Sequence, residues 1–254
     1  MITIKTKEDI AILREGGRRH GEIIRQLSAL IQPGVSAGDV ENKARELVSA
    51  GGDAPAFLNY QPAGAHRPYP AALCISINDE VVHGIPNESK KIFKEGDIVS
   101  LDLGLIHKGL VTDMAVTVAV GRVSSELQQL LRVTREALMA GIHAAKGGKR
   151  VSDISIAIEA CALSHSYGVV EELAGHGVGY SVHEEPYVPN YSTGKKSPIL
   201  KPGMVIAIEP MFNLGSKEVE LDADGYTYRT SDGKPSAHFE HTVLITKGDA
   251  EVLT

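Results

Sequence analysis

The order of periodic segments along the chain is the feature that most limits the folds available to it. Two helical patterns are followed by strand-like runs, and the same succession then occurs a second time. This order predicts an α+β fold of two similar halves, each with helices packed on one face of a mostly antiparallel sheet. No Ser/Gly-rich or charged linker divides the halves, so we expect one domain over residues 1–254.

Apolar spacing and capping residues indicate where the elements lie. Thr6-Lys-Glu-Asp9 has the pattern of a capping box, and Pro33-Gly34 ends the helical pattern that follows it. Helices are predicted over residues 10–31, 36–50, 124–145 and 151–167. Strands are predicted over residues 73–77, 81–82, 98–106, 110–120, 204–212 and 238–246. Residues 53–70 are rich in Pro, Gly and Ala, and a loop of that length is usually functional or mobile.

Two aspartates interrupt apolar, strand-like sequence on either side of a predicted turn at His107-Lys-Gly109. Asp102 follows Ile98-Val-Ser-Leu, and Asp113 follows Leu110-Val-Thr. A turn centred near the first two of the turn residues would place the two carboxylates nearly opposite each other across a hairpin. Buried carboxylates repel each other, and each costs free energy to bury as an ion. A divalent cation between them would remove both costs.

Three further residues have a similar setting. Glu209 lies in Val205-Ile-Ala-Ile-Glu-Pro210, Glu240 follows His238-Phe, and His176 lies among glycines in Gly175-His-Gly-Val-Gly179. Four carboxylates and one imidazole suit two neighbouring Mn, Fe, Co or Zn ions, which together can activate a shared water. A single acid in a strand is usually solvent-facing or salt-bridged, so the hypothesis rests on the whole set.

Other functional classes find little support. The net charge of −6 argues against a general nucleic-acid binder, so no DNA partner is expected. The first nine residues lack the apolar core of a signal peptide, and no apolar run approaches the ~20 residues of a membrane span. We therefore expect a cytoplasmic protein with no membrane partner. His183-Glu-Glu-Pro186 lacks the second histidine of a helical zinc motif, so spacing alone favours a structural interpretation of His83 and His183.

Seven segments that span essentially the whole chain occur in the order found in one known family. They are Cys74–Pro86, Asp97–Asp102, Thr112-Asp113, Gly175–Gly179, His183–Pro186, Gly203–Met211 and Phe239–Thr242. On these segments the sequence resembles the type I methionine aminopeptidases. The resemblance implies the α+β pita-bread fold, with two pseudo-symmetric halves and helices packed on a mostly antiparallel, curved sheet.

The resemblance also implies a ligand set for two divalent metal ions, with Co, Mn, Fe and Zn as the candidates. The ligands would be Asp102, Asp113, His176, Glu209 and Glu240. Asp113 and Glu240 would bridge the ions, His176 and Glu209 would complete one site, and Asp102 would complete the other. A hydroxide bridging the two ions would attack the first peptide bond, with Glu209 as the proton shuttle.

Further residues are implied to contact the peptide, which reverses the structural interpretation of two histidines. His83 would contact the substrate, and His183 would donate a hydrogen bond to the scissile amide. The methionine pocket would be lined by Tyr69 and Cys74, with Tyr60 and Phe57 as weaker candidates. Three features depart from the family pattern and affect the expected pocket shape. They are Val182, where bacterial relatives often carry an aromatic residue, Tyr226, at a place sometimes held by tryptophan, and an insertion over Gln61–Arg67.

The implied activity is removal of the initiator methionine from newly made proteins, with a preference for a small second residue. The implied partners are the N-termini of nascent polypeptides, together with a transient contact to the ribosome, and the chain would act as a monomer. Two alternatives stay open at this stage. One is a pita-bread peptidase that cleaves X-Pro bonds, and the other is a catalytically silent pita-bread binding protein.

Overall fold

Hydroxyl side chains cap the start of three of the four helices. The computed structural model describes residues 1–254 and contains α1 (Lys7–Ser28), α2 (Ala37–Ala50), α3 (Ser125–Ala144) and α4 (Val151–Leu163). Ahead of α1, the Asp9 amide donates to the Thr6 hydroxyl and the Thr6 amide donates to the Asp9 carboxylate, as the capping box predicts. None of the four helices has the length and apolar character of a membrane span.

Two helices end earlier than their apolar spacing predicts. In α1 the spacing continues to Ile31 because that side chain is buried against the same core from the turn that follows the helix. In α4 the prediction to Tyr167 is wrong because Ser166 adopts a left-handed φ of 58°, which stops the helix. The Tyr167 amide then donates back to the Ala162 carbonyl, closing the last turn.

Fifteen short strands form four sheets, and every strand pair is antiparallel. The strands are β1 (Ala54–Pro55), β2 (Leu73–Ile77), β3 (Glu80–Val82), β4 (Ile98–His107), β5 (Leu110–Ala119), β6 (Gly168–Val169), β7 (Gly175–Gly177), β8 (Glu184–Val188), β9 (Val205–Ile208), β10 (Met211–Asn213), β11 (Val219–Leu221), β12 (Tyr228–Thr230), β13 (Ser236–His238), β14 (His241–Leu244) and β15 (Glu251–Val252). One sheet joins β1, β2 and β5 to β4, and a second has the order β15-β14-β9-β7-β8. Two three-stranded sheets have the orders β13-β10-β6 and β11-β12-β3. The prediction of an antiparallel α+β architecture is confirmed.

The hairpin of β4 and β5 differs by one step from the sequence prediction. Its turn is centred between Lys108 and Gly109, whose positive φ angles of 47° and 84° suit a two-residue turn. Asp102 therefore pairs with Ala115, and Asp113 pairs with Gly104. The two aspartates are diagonal neighbours on one face of the hairpin and do not lie directly opposite each other.

Two predicted strands in the second half are interrupted at their glutamates. The chain passes from β9 to β10 at Glu209-Pro210, because Pro210 has no amide hydrogen to donate to the ladder. It passes from β13 to β14 at Phe239-Glu240. At Glu209 the chain leaves the five-stranded sheet and enters the β13-β10-β6 sheet, and at Glu240 it returns. Both glutamates therefore lie at the junction between these two sheets.

Each half packs two helices on its strands through its own apolar core. In the first half, Ile24, Leu27 and Val40 of the helices pack with Leu101 and neighbouring residues of β4. The second core, built from α3, α4 and the strands that follow them, includes Leu130, Ile154, Ile206 and Phe212. The sheet faces opposite the helices contact each other, with β5 of the first half against β13 and β14 of the second.

Gly17 and Gly21 offer a matched test of how closely the C-terminus packs on α1. A Cβ on Gly17 would overlap the Leu253 carbonyl oxygen, whereas the nearest atom to a Cβ on Gly21 would be the Thr254 carbonyl carbon, 3.6 Å away. Alanine gains about 1 kcal/mol over glycine inside a helix, so both substitutions share that benefit. We expect G21A to leave the free energy of unfolding equal or higher and G17A to lower it by about 1–3 kcal/mol. Denaturant unfolding of both variants measures the difference, and equal stabilities would contradict the close approach.

Candidate metal centre

Four carboxylates from two strands and two strand junctions converge on one cleft. Asp102 and Asp113 project from the shared face of the hairpin, and Glu209 and Glu240 project from the junctions in the second half. Asp102, Asp113 and Glu240 are 7%, 3% and 2% exposed, so water cannot solvate their charges fully. The structure thus brings together all four acids that the sequence analysis singles out.

Hydrogen bonds between β5 and the second half fix this convergence. The Glu240 amide donates to the Ala115 carbonyl over 2.8 Å. The Thr242 hydroxyl accepts from the Asp113 amide and donates to the Asp113 carbonyl, both over 2.8 Å. Because these bonds join backbone next to the carboxylates, they set the separation of the side chains.

The His176 ring has a defined tautomer. Its Nδ1 lies 2.9 Å from the Gly177 carbonyl oxygen, which can only accept, so Nδ1 carries the hydrogen. Nε2 then lies 3.4 Å from Glu209 Oε1 and 4.0 Å from Asp113 Oδ2. Burial, followed by the neighbouring His183, lowers the pKa of His176 to about 3, so the ring is neutral near pH 7. A lone pair therefore faces two carboxylates.

No cationic side chain offsets the repulsion among the carboxylates, so these groups bind protons more tightly than carboxylates in water. Burial raises the pKa of Asp102 to about 7. Burial also raises the pKa values of Asp113, Glu209 and Glu240 well above their usual range, and neighbouring carboxylates raise them further. The basic side chains nearest these acids are His176 and His238, and burial lowers the pKa of each to about 3, so both are neutral near pH 7. No lysine or arginine lines the cleft.

These residues fit a divalent metal centre. Asp102 Oδ1 and Glu240 Oε1 are buried and have no hydrogen-bond partner, although buried carboxylate oxygens are normally satisfied. One ligand atom each from Asp113, His176 and Glu240 lie within 4.8 Å of one another. Oxygen-rich sets with one imidazole suit hard or borderline divalent cations, which would satisfy the orphaned oxygens and the Nε2 lone pair together.

An apolar pocket opens directly beside the carboxylates. The whole cavity has a volume of about 160 Å³. Its lining residues are Phe57, Tyr60, Pro62, Tyr69, Cys74, Val82, His83, Asp102, Asp113, Leu173, Ala174, His176, His183, Glu209, Met211, Tyr226 and Glu240. All nine residues predicted for the site are therefore part of one cavity, as are the weaker candidates Phe57 and Tyr60.

The pocket wall is rigid on its aromatic side. The Tyr69 hydroxyl donates to the Gly84 carbonyl over 3.0 Å, and its ring meets that of Tyr226 edge-on with centroids 5.2 Å apart. The Tyr226 hydroxyl in turn donates to the Arg67 carbonyl. Of the apparent insertion over Gln61–Arg67, only Pro62 lines the cavity. Val182 does not reach the cavity and is buried in a separate apolar cluster.

His83 and His183, for which spacing alone favours a structural interpretation, both line this cavity. His183 Nδ1 lies 2.9 Å from the Tyr60 hydroxyl, and its ring meets His176 edge-on with centroids 4.5 Å apart. Partial burial of the ring in the cleft lowers the pKa of His183, although the residue is exposed to solvent on one side. His83 adopts a left-handed φ of 59°, and its ring packs edge-on against Tyr228 with centroids 6.0 Å apart.

His238 also belongs to this region, and the sequence analysis did not single it out. It is buried, neither ring nitrogen has a hydrogen-bond partner, and Nε2 lies 3.7 Å from Glu209 Oε2. The sequence places His238 two residues before Glu240, but no local pattern places it next to Glu209. That contact arises because the strand breaks at Pro210 and His238 then pairs with Met211.

The raised carboxylate pKa values predict a pH-dependent stability of the metal-free protein. The pKa of Asp102 rises from an ordinary 3.8 to about 7 on folding. Because the folded protein holds the Asp102 proton more tightly, this group stabilises the fold fully below pH 3.8, and the stabilisation is lost as the pH rises through about 7. Thermal unfolding after chelation should give a lower Tm at about pH 8 than at about pH 5.5, and added Mn²⁺ should raise Tm more at the higher pH. D102N should reduce the change of Tm with pH in the chelated protein. An unaltered change of Tm with pH would contradict the raised pKa of Asp102.

Comparison with known proteins gives a consistent family. The model of metallopeptidase family M24 matches residues 11–247. A methionine aminopeptidase of Aquifex aeolicus is 46% identical over 255 residues, which cover 100% of this chain and 98% of that protein.

Two solved structures extend the comparison to the fold. The methionine aminopeptidase of Thermotoga maritima superposes with a TM-score of 0.94 at 42% identity, covering 100% of this chain and 99% of the other. A prolidase from Pyrococcus furiosus gives a TM-score of 0.75 at 27% identity, covering 99% of this chain but 65% of the other. The pita-bread fold is thereby confirmed, and divalent metal use follows from the family together with the ligand cluster. The chain belongs to metallopeptidase family M24 and, within it, to the type I methionine aminopeptidases.

Proposed function

We propose that this chain removes the N-terminal methionine from newly made proteins. The observation that carries the proposal is a set of buried carboxylates without a cationic partner, directly beside a small aromatic-walled pocket. The first feature calls for divalent cations, and the second accepts one apolar side chain. The substrates are peptides with a free N-terminus, and in the cell they are the N-termini of nascent chains.

Two divalent ions are proposed to be held by five residues. Asp113 and Glu240 would bridge the ions, His176 and Glu209 would complete one site, and Asp102 would complete the other. Mn, Fe, Co and Zn all suit this ligand set. When bound, the pair of ions supplies an activated water and polarises the first peptide carbonyl. The hydrogen bond from His176 Nδ1 to Gly177 leaves Nε2 free as a ligand, which supports this assignment.

The apolar pocket is proposed to bind the methionine side chain. Tyr69, Cys74 and Tyr226 form a closed apolar cluster, and Phe57 packs against it. A thioether makes favourable contacts with aromatic rings and fits irregular gaps, so methionine suits this wall better than a charged or bulky aromatic residue. Hydrogen bonds from the Tyr69 and Tyr226 hydroxyls to backbone carbonyls hold both rings in this wall.

His83, His183 and Glu209 are proposed as the catalytic side chains. If the Tyr60 hydroxyl donates to His183 Nδ1, then Nε2 carries the hydrogen and can donate to the scissile amide as negative charge develops on it. His83 stands at the edge of the pocket, where it would contact the peptide. Glu209 lines the same cavity as the other proposed ligands, so its carboxylate would take and return a proton during the reaction. We propose that the second residue of the substrate lies beside His183, so that a small second residue is preferred.

Residues 1–254 are proposed to act as one catalytic domain and as a monomer. Asp102 and Asp113 come from the first half and the other three ligands from the second, so neither half holds a complete site. Because nascent N-termini emerge at ribosomes in the cytoplasm, we place the activity there, with a transient ribosome contact.

The other candidate function is cleavage of X-Pro bonds, since a prolidase shares the fold. The chain is 27% identical to that prolidase but 46% identical to a methionine aminopeptidase, and the pocket here is lined by aromatic side chains at the position proposed for methionine. A silent binding protein is disfavoured because all five proposed ligands are present.

A metal add-back assay tests the function. After chelation, we expect release of methionine from Met-Ala-Ser to be absent and to return when Mn, Fe, Co or Zn is added separately, because the carboxylates alone cannot activate water. Met-Trp-Ser should be cleaved at least about tenfold more slowly. Cleavage of Ala-Pro-Ser at a rate comparable with Met-Ala-Ser would favour the prolidase alternative, and full activity without metal would refute the proposal.

Substitutions of single ligands test the proposed roles. D113A and E240A should lower turnover below detection and weaken metal binding by calorimetry while leaving the fold intact. E209Q should lower kcat about 100-fold or more, because it removes both a ligand charge and a proton carrier. E220Q, at an exposed strand position away from the cleft, is the matched control. An E209Q variant with the wild-type rate would exclude Glu209 from both roles.

A further inference from the structure

Lys5 is a lysine whose charged end is buried outside the lining of the catalytic cavity. Its side chain is 0% exposed, and Nζ lies 2.7 Å from Glu184 Oε2. The Lys5 amide donates to the Gly203 carbonyl over 2.8 Å, and Nζ lies 4.3 Å from the centre of the Tyr180 ring. Lysine is almost never fully buried without a partner, and Glu184 is the partner here.

The Glu184 carboxylate accepts hydrogen bonds from two different parts of the chain. Oε2 accepts from Lys5 and from the Thr3 hydroxyl, the latter over 2.5 Å. Oε1 accepts from the Tyr180 amide over 2.5 Å and from the Ser181 amide over 3.2 Å. One carboxylate therefore joins the amino-terminal segment, residues 1–5, to the histidine turn, residues 179–184.

The contact between the segment and the turn is close and depends on a glycine. A Cβ on Gly179 would overlap Lys5 Cε, and the φ of 136° at Gly179 is one that other residues rarely adopt. On the far side of the turn, the Tyr180 hydroxyl donates to Asp9 over 2.6 Å. Both ends of the Lys5 side chain and both sides of the turn are thus held in place.

The histidine turn carries His183 immediately before Glu184. The His183 ring touches Tyr60 and His176, and the residue is exposed between Val182, which is buried, and Glu184, which begins β8. Within the turn, the Ser181 hydroxyl donates to the His183 carbonyl over 3.1 Å. The Val111 amide holds the start of the turn through the Gly179 carbonyl, and the bonds to Glu184 tie its end, next to His183, to the amino-terminal segment.

Stability alone gives a weak reason for such a pair. A buried ion pair contributes little net stability, because desolvation of both charges offsets their attraction, and apolar replacements are often neutral. A buried pair does, however, fix the positions of the groups that it joins. Neither Lys5 nor Glu184 lines the catalytic cavity; Glu184 lines a second pocket beside it, and Lys5 lines neither.

We propose that the Lys5–Glu184 ion pair positions His183 for the reaction, so that residues from the start of the chain set the geometry of a catalytic side chain. The inference rests on the proposed role of His183. Lys5 and Glu184 are positioning residues, and their effect is transmitted through the histidine turn.

A double-mutant cycle with His183 tests this role in the metal-loaded, full-length protein. The first variant is K5M/E184Q, which leaves no unpaired buried charge and keeps an oxygen for the two turn amides. We expect its kcat for Met-Ala-Ser to fall about tenfold, with KM changed less than about threefold and metal content unchanged. H183A should lower kcat about 100-fold, as loss of a donor to the developing charge does. K7M is the control, since Lys7 is exposed two residues away and forms no ion pair.

The decisive variant combines K5M/E184Q with H183A. If the pair acts through His183, the combined variant should be no slower than H183A, because the group being positioned is already absent. Losses that multiply, or an undiminished kcat in K5M/E184Q, would overturn the proposal. An undiminished kcat in H183A would instead contradict the proposed role of His183 and remove the basis of the inference.

Discussion

Burial of several carboxylates without a cationic side chain is the constraint on which the rest of the structure depends. Each carboxylate raises the cost of ionising its neighbours, and the Nε2 lone pair of His176 adds to the same unfavourable field. Protonation relieves the repulsion only at the expense of the charge that would bind metal. The apolar cores on either side supply the stability that holds these groups together against their repulsion.

The two halves contribute to the site in different ways. The first half offers an uninterrupted hairpin, whose alternation places Asp102 and Asp113 on one face. The second half offers two strand breaks, where the side chains of Glu209 and Glu240 are free of the alternation that a continuous strand imposes. Threonine hydroxyls on and beside β5 then join the halves at the backbone, as the paired bonds between Thr242 and Asp113 illustrate.

Local signals in the sequence predicted the elements and the residue types of the site, but not its exact geometry. Capping at Thr6 and alternation around Asp102 depend on neighbours within a few residues, so the pattern is visible in the chain itself. The register of the hairpin depends on which residue accepts a left-handed φ, and the sequence analysis placed that turn one residue too early. His238 and the partnership of Lys5 with Glu184 depend on contacts across 29 and 179 residues, which no local pattern encodes.

The position of Glu209 and Glu240 at the junction between two sheets has a consequence for how such a site can change over evolution. A slight rotation of one sheet against the other would alter the spacing of both carboxylates at once, with every side chain retained. Substitutions deep in either apolar core can produce such a rotation. Selectivity among cations of different radius can therefore drift through packing residues that never touch an ion.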